Sequence, residues 1–239
     1  MSKQAVIYKN VLLKAFNTEL IARLGLKHIN FKSGQRIELP GEPIKNLYFP
    51  ESGMASMTTI FSDGTEVEVG MFGYESVIGV SALMGTKCSL NHVYTQIEGD
   101  GYSCSIAVAK KEFDNNRLFQ KMALRYVQAQ LLQSMQSAGC ASKHTFEQRL
   151  SRWLLISADR AHVETFNMSQ EFLSHMLGST RPTVSLVAGT LKKEKLITYK
   201  RGQLHILDRE GLEKRSCECY QIIRDYFKNY EAFDNLQLS

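Results

Sequence analysis

The residues of this chain best suited to ligand chemistry are cationic and hydroxylic, and they gather between Asn167 and Leu207. Arg181, Lys200 and Arg201 bring fixed positive charge; Ser169, Gln170, Thr180 and Thr183 bring neutral donors. Such a set suits hydrogen bonding to phosphate oxygens, and a guanidinium can also grip guanine O6 and N7 bidentately. It does not suit catalysis. The chain has no Gly-x-Ser-x-Gly, no Walker loop, no dinucleotide fingerprint and no carboxylate pair near a His at suggestive spacing, so no catalytic residue is assigned and the chain reads as a non-enzyme.

The elements that must position these groups are legible around them. Ser169 is a good N-cap for a short helix with Leu173, Met176 and Leu177 on one face, and Gly178 stands where a chain leaving a helix needs positive φ. Thr180 caps a second helix whose first turn accepts Pro182; Val184, Val187 and Leu191 form its inward face, and Ser174 is small where the two helices cross. This is the spacing of a helix-turn-helix, whose second helix enters the DNA major groove. Arg181, Ser185 and Leu186 then face the bases, Leu186 towards a thymine methyl, while Ser169, Gln170, Thr180, Thr183, Lys200 and Arg201 face phosphates. Two short strands, Leu196–Tyr199 and Leu204–Leu207, joined by Lys200-Arg201-Gly202-Gln203, complete a winged helix with a cationic tip. The competing reading is a helical hairpin and a β-hairpin serving as a protein-interaction module behind a ligand-binding β-domain.

Charge placement favours the polyanion. The chain has 239 residues and a net charge of +5. Residues 140–215 hold 13 Lys+Arg and 8 Asp+Glu; elsewhere basic and acidic residues number 16 each. All the excess positive charge therefore lies with the helix-turn-helix. No apolar run approaches the roughly 20 residues needed to cross a bilayer, so no membrane partner is expected. The first residues, Met1 to Val6, lack the apolar core of a signal peptide, which makes the cytoplasm the expected compartment.

Ahead of this module the chain reads as β-rich. Asn10–Leu26 suits one or two short helices, and Ile29 to about Ala109 gives short strands separated by turn signals, among them Ser62-Asp63-Gly64 and Gly99-Asp100-Gly101. That pattern predicts an antiparallel sandwich or jelly roll. Phe113–Ala138, free of Gly and Pro, predicts one long helix with two apolar stripes: Leu124, Val127, Leu131 and Ala138 on one, Met122, Tyr126, Ala129 and Leu132 on the other. One stripe can cover the β-domain. The other calls for a symmetric partner helix, unless both are covered within one chain. Thr145–Ala161 predicts a further helix with Arg149, Arg152 and Arg160 off its apolar face, and Asp208 caps a last helix running towards Phe227.

Cysteine usage suggests no metal. The five cysteines are odd in number and scattered. Cys88 and His92 are four apart, and Cys217 and Cys219, placed on one helix, would point to different sides. No metal or cofactor is assigned, the cysteines are expected to be buried small hydrophobes, and His144, His162, His175 and His205 to be surface or capping residues.

Taken together, the chain resembles the Crp/Fnr family of regulators. The resemblance runs over nearly the whole length and is carried most specifically by Phe146–Leu154, Leu177–Ser185 and Leu207–Glu213, with Tyr48–Gly53 and Val67–Met71 in the β-region. It implies an α+β chain with a jelly-roll, cyclic-nucleotide-binding-like β-roll over residues 1–110, a dimerisation helix over 111–140, a winged helix-turn-helix over 141–215 and a C-terminal helix over 216–239. It further implies a bacterial homodimer that binds two-fold symmetric double-stranded DNA at promoters, with RNA polymerase as a partner. The nucleotide-binding pattern is broken, however. Members that bind cyclic AMP carry a Gly-Glu pair and then an Arg followed by Ser or Thr; here the stretches read Phe72-Gly73-Tyr74-Glu75-Ser76 and Ser89-Leu90-Asn91-His92-Val93, with no Arg near Asn91. A cyclic phosphate buried without a charged partner would lose several kcal/mol. Gly73, Glu75, Asn91 and His92 thus mark a possible effector pocket that does not take cyclic AMP.

Overall fold

Alternating runs bounded by Gly and Pro do become strands, and the uninterrupted apolar-periodic runs become helices. The computed structural model describes residues 6–231; the Met1–Ala5 stretch considered for a leader and the chain beyond Glu231 lie outside the described residues. Two short helices, α1 (Val11–Ala15) and α2 (Thr18–Leu24), open the described chain, each capped by an Asn side chain. Then follow β1 (Lys27–Phe31), β2 (Arg36–Glu38), β3 (Asn46–Pro50), β4 (Met54–Ile60), β5 (Glu66–Phe72), a 3-10 turn (Val80–Met84), β6 (His92–Ile97) and β7 (Gly99–Ser105).

These strands make two antiparallel sheets, ordered β1-β7-β3 and β2-β6-β4-β5, which face one another as the expected jelly-roll sandwich. The hairpin at Asp63-Gly64 joins β4 to β5 with Gly64 at φ 82°. Gly99-Asp100-Gly101, expected to be a turn, is instead the start of β7. Both glycines are required by close approach: a Cβ at Gly99 would lie 2.2 Å from Ser52 O, and one at Gly101 2.4 Å from Phe49 O.

The long helix is interrupted once. α3 (Ile106–Asn115) ends at Asn116, whose backbone turns extended and whose side chain accepts from Phe119 N to start α4 (Arg117–Lys143). Asn116 offers the backbone a local hydrogen bond that competes with helix continuation, a signal that the absence of Gly and Pro conceals. α5 (Phe146–Ala161) begins at Thr145 with a capping box completed by Gln148. Arg152 and Arg160 of this helix are buried rather than solvent-facing, because α5 is enclosed by the β-roll and by the helices that follow.

The carboxy-terminal part contains β8 (Thr165–Asn167), α6 (Gln170–Met176), α7 (Arg181–Lys193), β9 (Ile197–Lys200), β10 (Gln203–Ile206), α8 (Arg209–Arg215) and α9 (Cys219–Glu231). Asp208 does cap a helix, but that helix stops at Ser216 and a second one starts at Cys219, so Cys217 lies in a linker and not within a helix. One continuous apolar core runs from Val11 to Tyr230, with Trp153, Tyr126 and Phe119 among its largest enclosed side chains. Among the described residues, no helix is long and apolar enough to cross a membrane.

Candidate nucleic-acid interface

The surface built by α6, α7 and the β9–β10 hairpin follows from local rules. Ser169 Oγ accepts from Phe172 N at 3.0 Å and starts α6. Gly178, at φ 56°, lets the chain leave that helix, and Ser179 N donates to Ser174 O at 2.8 Å, closing the turn. Thr180 caps α7, with its hydroxyl 2.9 Å from that of Thr183, and Pro182 occupies the first turn. Val184, Ala188 and Leu191 anchor α7 in the core, with Val187 half-buried beside them.

The opposite face of α7 is open. Arg181, Ser185 and Leu186 are exposed, Leu186 to 73%. The hairpin beside it turns at Arg201 and Gly202, both at positive φ (52° and 78°), as a two-residue mirror-image turn requires. Tyr199 Oη donates to Met168 O at 2.7 Å and Met168 N donates to Gly202 O at 2.6 Å, so the hairpin tip is fastened to the start of α6. Ser169, Gln170, Arg181, Arg201 and Tyr199 line one open cleft of about 310 Å³. Among the described residues Arg181, Lys200 and Arg201 have no ion-pair partner, whereas Arg209 and Arg215 are paired with Asp159, Glu164, Glu147 and Glu194.

The sequence gives no sign of one element here. β8 pairs with β10, making the hairpin a three-stranded sheet ordered β8-β10-β9. Thr165-Phe166-Asn167 is too short to show alternation, and only its pairing identifies it.

Of the four residues marked as an effector pocket, Gly73 and Glu75 lie together against Arg160, while Asn91 and His92 do not join them. Glu75 lies nearly fully enclosed, its carboxylate 2.8 Å from Arg160 Nε, with Ser76 Oγ donating to it at 3.0 Å. Arg160 also donates to Met71 O and Gln133 Oε1 and stacks on Phe227, so one side chain ties the β-roll to α4, α5 and α9. Gly73 packs against Arg160: a Cβ there would lie 2.6 Å from Arg160 Cβ. Asn91 and His92 stand elsewhere, at the start of β6, where His92 pairs with Thr58 of β4. A cavity of about 510 Å³ does border Glu75, but its other walls include Tyr74, Arg160, His162, Tyr220 and Phe227 and neither Asn91 nor His92.

The α4 stripes separate as the spacing required. Met122, Tyr126 and Ala129 are buried and Leu132 is half-buried; on the other face Leu124, Leu131 and Ala138 are exposed and Val127 is half-buried, with Leu131 at 59% and the unforeseen Met135 at 66%.

The helix-turn-helix is docked on the β-roll through groups that carry no mark in the sequence. Trp153 Nε1 donates to Glu68 Oε1 at 2.8 Å, Ser56 donates to the other oxygen, and Met176 touches Tyr94 and Gln96. Glu68 is half-buried as a residue, yet its carboxyl is enclosed, and burial pushes its pKa up to about 7 against the lowering effect of those donors. Arg149 donates to Leu177 O, satisfying a carbonyl at the end of α6. Burial pushes the Cys104 thiol up to about 12, in keeping with a small hydrophobe.

Comparison with known proteins points one way. A family model of the Crp-like helix-turn-helix domain matches residues 148–215, and one of the cyclic nucleotide-binding domain matches residues 28–107. The chain is 23% identical over 217 residues to the global nitrogen regulator of Synechococcus elongatus, covering 87% of this chain and 97% of that protein. With the global nitrogen regulator of a Nostoc species the identity is 24% over 186 residues, covering 74% and 83%. In structure it is similar to a transcriptional regulator assigned to the crp/fnr family of Eubacterium rectale (TM-score 0.68, 16% identity, 85% of this chain and 96% of that one). FixK2 of Bradyrhizobium japonicum is similar to the same degree (TM-score 0.68, 16% identity, 80% and 98%).

Proposed function

The chain belongs to the Crp/Fnr family of DNA-binding transcriptional regulators, and from that premise we propose that it acts as a homodimer on two-fold symmetric promoter sites without cyclic AMP. The observation that carries this reading is Arg181 at the start of α7, exposed, without an ion-pair partner among the described residues and sharing a cleft with Ser169, Gln170 and Arg201. Arg181, Ser185 and Leu186 read base edges, while Ser169, Gln170, Thr180, Thr183, Lys200 and Arg201 hold phosphates.

Dimerisation is supported by the exposed Leu124, Leu131, Met135 and Ala138 on a helix whose other face is buried in its own chain. A parallel pairing along this stripe sets two recognition helices about 34 Å apart, one turn of DNA. Independence from cyclic AMP is supported by the commitment of Glu75 to Arg160 and by the absence of a cation beside Asn91. Promoter DNA as ligand makes RNA polymerase the natural second partner and the cytoplasm the compartment.

The deciding experiment is selection of bound duplexes from a random library by the purified protein with no added nucleotide. A two-fold symmetric consensus is expected, and its enrichment should be unchanged by added cyclic AMP. Leu131→Glu should turn a dimer into a monomer in light scattering and abolish enrichment of the full symmetric site. A monomeric wild-type protein, or a consensus that appears only with cyclic AMP, would overturn the corresponding part of the reading.

A further inference from the structure

Outside the DNA-binding surface, four side chains from two separate stretches converge at the end of α4. Cys140, His144, Cys217 and Cys219 each offer one ligand atom, and these atoms all lie within 4.8 Å of one another. Cys140 Sγ and Cys217 Sγ are 3.5 Å apart, and Cys219 Sγ is 3.7 Å from His144 Nδ1. Bonds of about 2.3 Å to sulfur and 2.0 Å to nitrogen, arranged tetrahedrally, place neighbouring ligand atoms about 3.5–3.8 Å apart, close to the spacings found here.

The surroundings are those of a ligand set. The three cysteines form a small cluster separate from the main core, each at 4% exposure or less. His144 Nε2 stands 3.2 Å from the Glu218 carboxylate. A proton held on Nε2 by that carboxylate leaves the Nδ1 lone pair directed at the thiols, the carboxylate–histidine–metal arrangement of many protein sites. Gln136 Nε2 donates to Cys219 Sγ at 3.0 Å.

We propose that Cys140, His144, Cys217 and Cys219 bind a single zinc ion. Three thiolates and one imidazole in a closed tetrahedron are a zinc donor set, and four protein ligands leave no coordination position for water, which marks the site as structural. An iron–sulfur cluster puts at most two protein ligands on any one iron, so its four ligand atoms span more than the 4.8 Å found here. Binding releases the thiol protons to solvent, so affinity rises with pH. The ion clamps the α8–α9 linker to α4, and His144 is itself the C-cap of α4, directly before the N-cap of α5. It therefore fixes the joint between the long helix and the DNA-binding part.

The test uses the full-length protein, purified without oxygen or chelators, with metal content measured by mass spectrometry. About one zinc per chain is expected, and cobalt exchanged into the site should give the visible bands of a tetrahedral ion with thiolate-to-metal charge transfer in the near ultraviolet. Cys217→Ser should lose the zinc at a chelator concentration that wild type withstands, while Cys88→Ser should keep it. Glu218→Gln retains every ligand and should stay folded, with zinc affinity lowered by about 10–100-fold. A folded wild type that binds no added zinc would overturn the proposal. So would full zinc retention in Cys217→Ser, a Cys140–Cys217 disulfide in the anaerobic protein, or iron and sulfide in place of zinc.

Discussion

Arg160 and Arg181 carry the same guanidinium into opposite surroundings. Arg160, on α5, is almost wholly enclosed and engages Glu75, Met71 O, Gln133 and the face of Phe227. Arg181, at the start of α7, is exposed and has no ion-pair partner among the described residues. The β-roll has turned the Glu of a Gly-x-Glu turn inward to hold the helices packed against it; the recognition helix and the wing have kept Arg181, Lys200 and Arg201 outward. One region commits its charge to assembly and the other leaves it available to a polyanion.

The largest effect should come from breaking the internal pair. Arg160→Ala leaves the buried Glu75 without its charged partner, and should lower stability by about 3–5 kcal/mol in denaturant unfolding. Adding Glu75→Ala should restore much of that stability; if it does not, the arginine's other interactions outweigh the pair. Arg181→Ala should do the reverse, leaving stability within about 0.5 kcal/mol of wild type. It should weaken binding to the selected duplex by about 1–3 kcal/mol for each guanine that Arg181 grips, measured by fluorescence anisotropy at fixed salt. An unfolding midpoint that moved as much as in Arg160→Ala would erase the contrast.

A third variant probes the junction between the two regions. The Glu68 carboxyl, held between Ser56 and Trp153, has its folded pKa raised from 4.5 to about 7. A raised carboxyl pKa means that the folded state holds the proton longer than the unfolded one. Its contribution to stability is most favourable below about pH 4.5, weakens as pH rises through 7 and is level above that. Wild-type stability should therefore fall relative to Glu68→Gln by roughly 1–3 kcal/mol between pH 4.5 and 8, allowing for partial solvation of the site. Equal pH profiles for the two proteins would show that the carboxyl titrates as if in water. The smallest effect belongs to the wing: Lys200→Ala should weaken binding about equally across sequences and reduce the salt slope by about 1, the value for one phosphate left without its cation.

Legibility followed range. Ser169, Gly178, Thr180 and Pro182 were readable because caps, positive φ and proline act within a few residues. The exposed and buried stripes of α4 were readable because 3.6-residue periodicity survives in any surroundings. The break at Asn116 was not expected for want of a Gly or Pro, although an Asn cap is equally local. Cys140 and His144 are four apart on one helix, the same spacing as Cys88 and His92, and spacing alone does not tell the two pairs apart. Cys217 and Cys219 were expected to point apart because a break between α8 and α9 was not expected, and within one helix their separation would indeed be wrong.

By itself, the sequence determined the α+β architecture, the helix-turn-helix and its wing, and the outward Arg181. Each rests on periodicity, capping or side-chain type, which do not depend on distant residues. Only the tertiary structure decided that Glu75 meets Arg160, that Glu68 meets Trp153, that β8 joins the wing, and that four residues from the two ends of the DNA-binding part surround one point. Those pairings join residues far apart in the chain, and nothing in local sequence records which distant side chain will fill a given space once the core has closed.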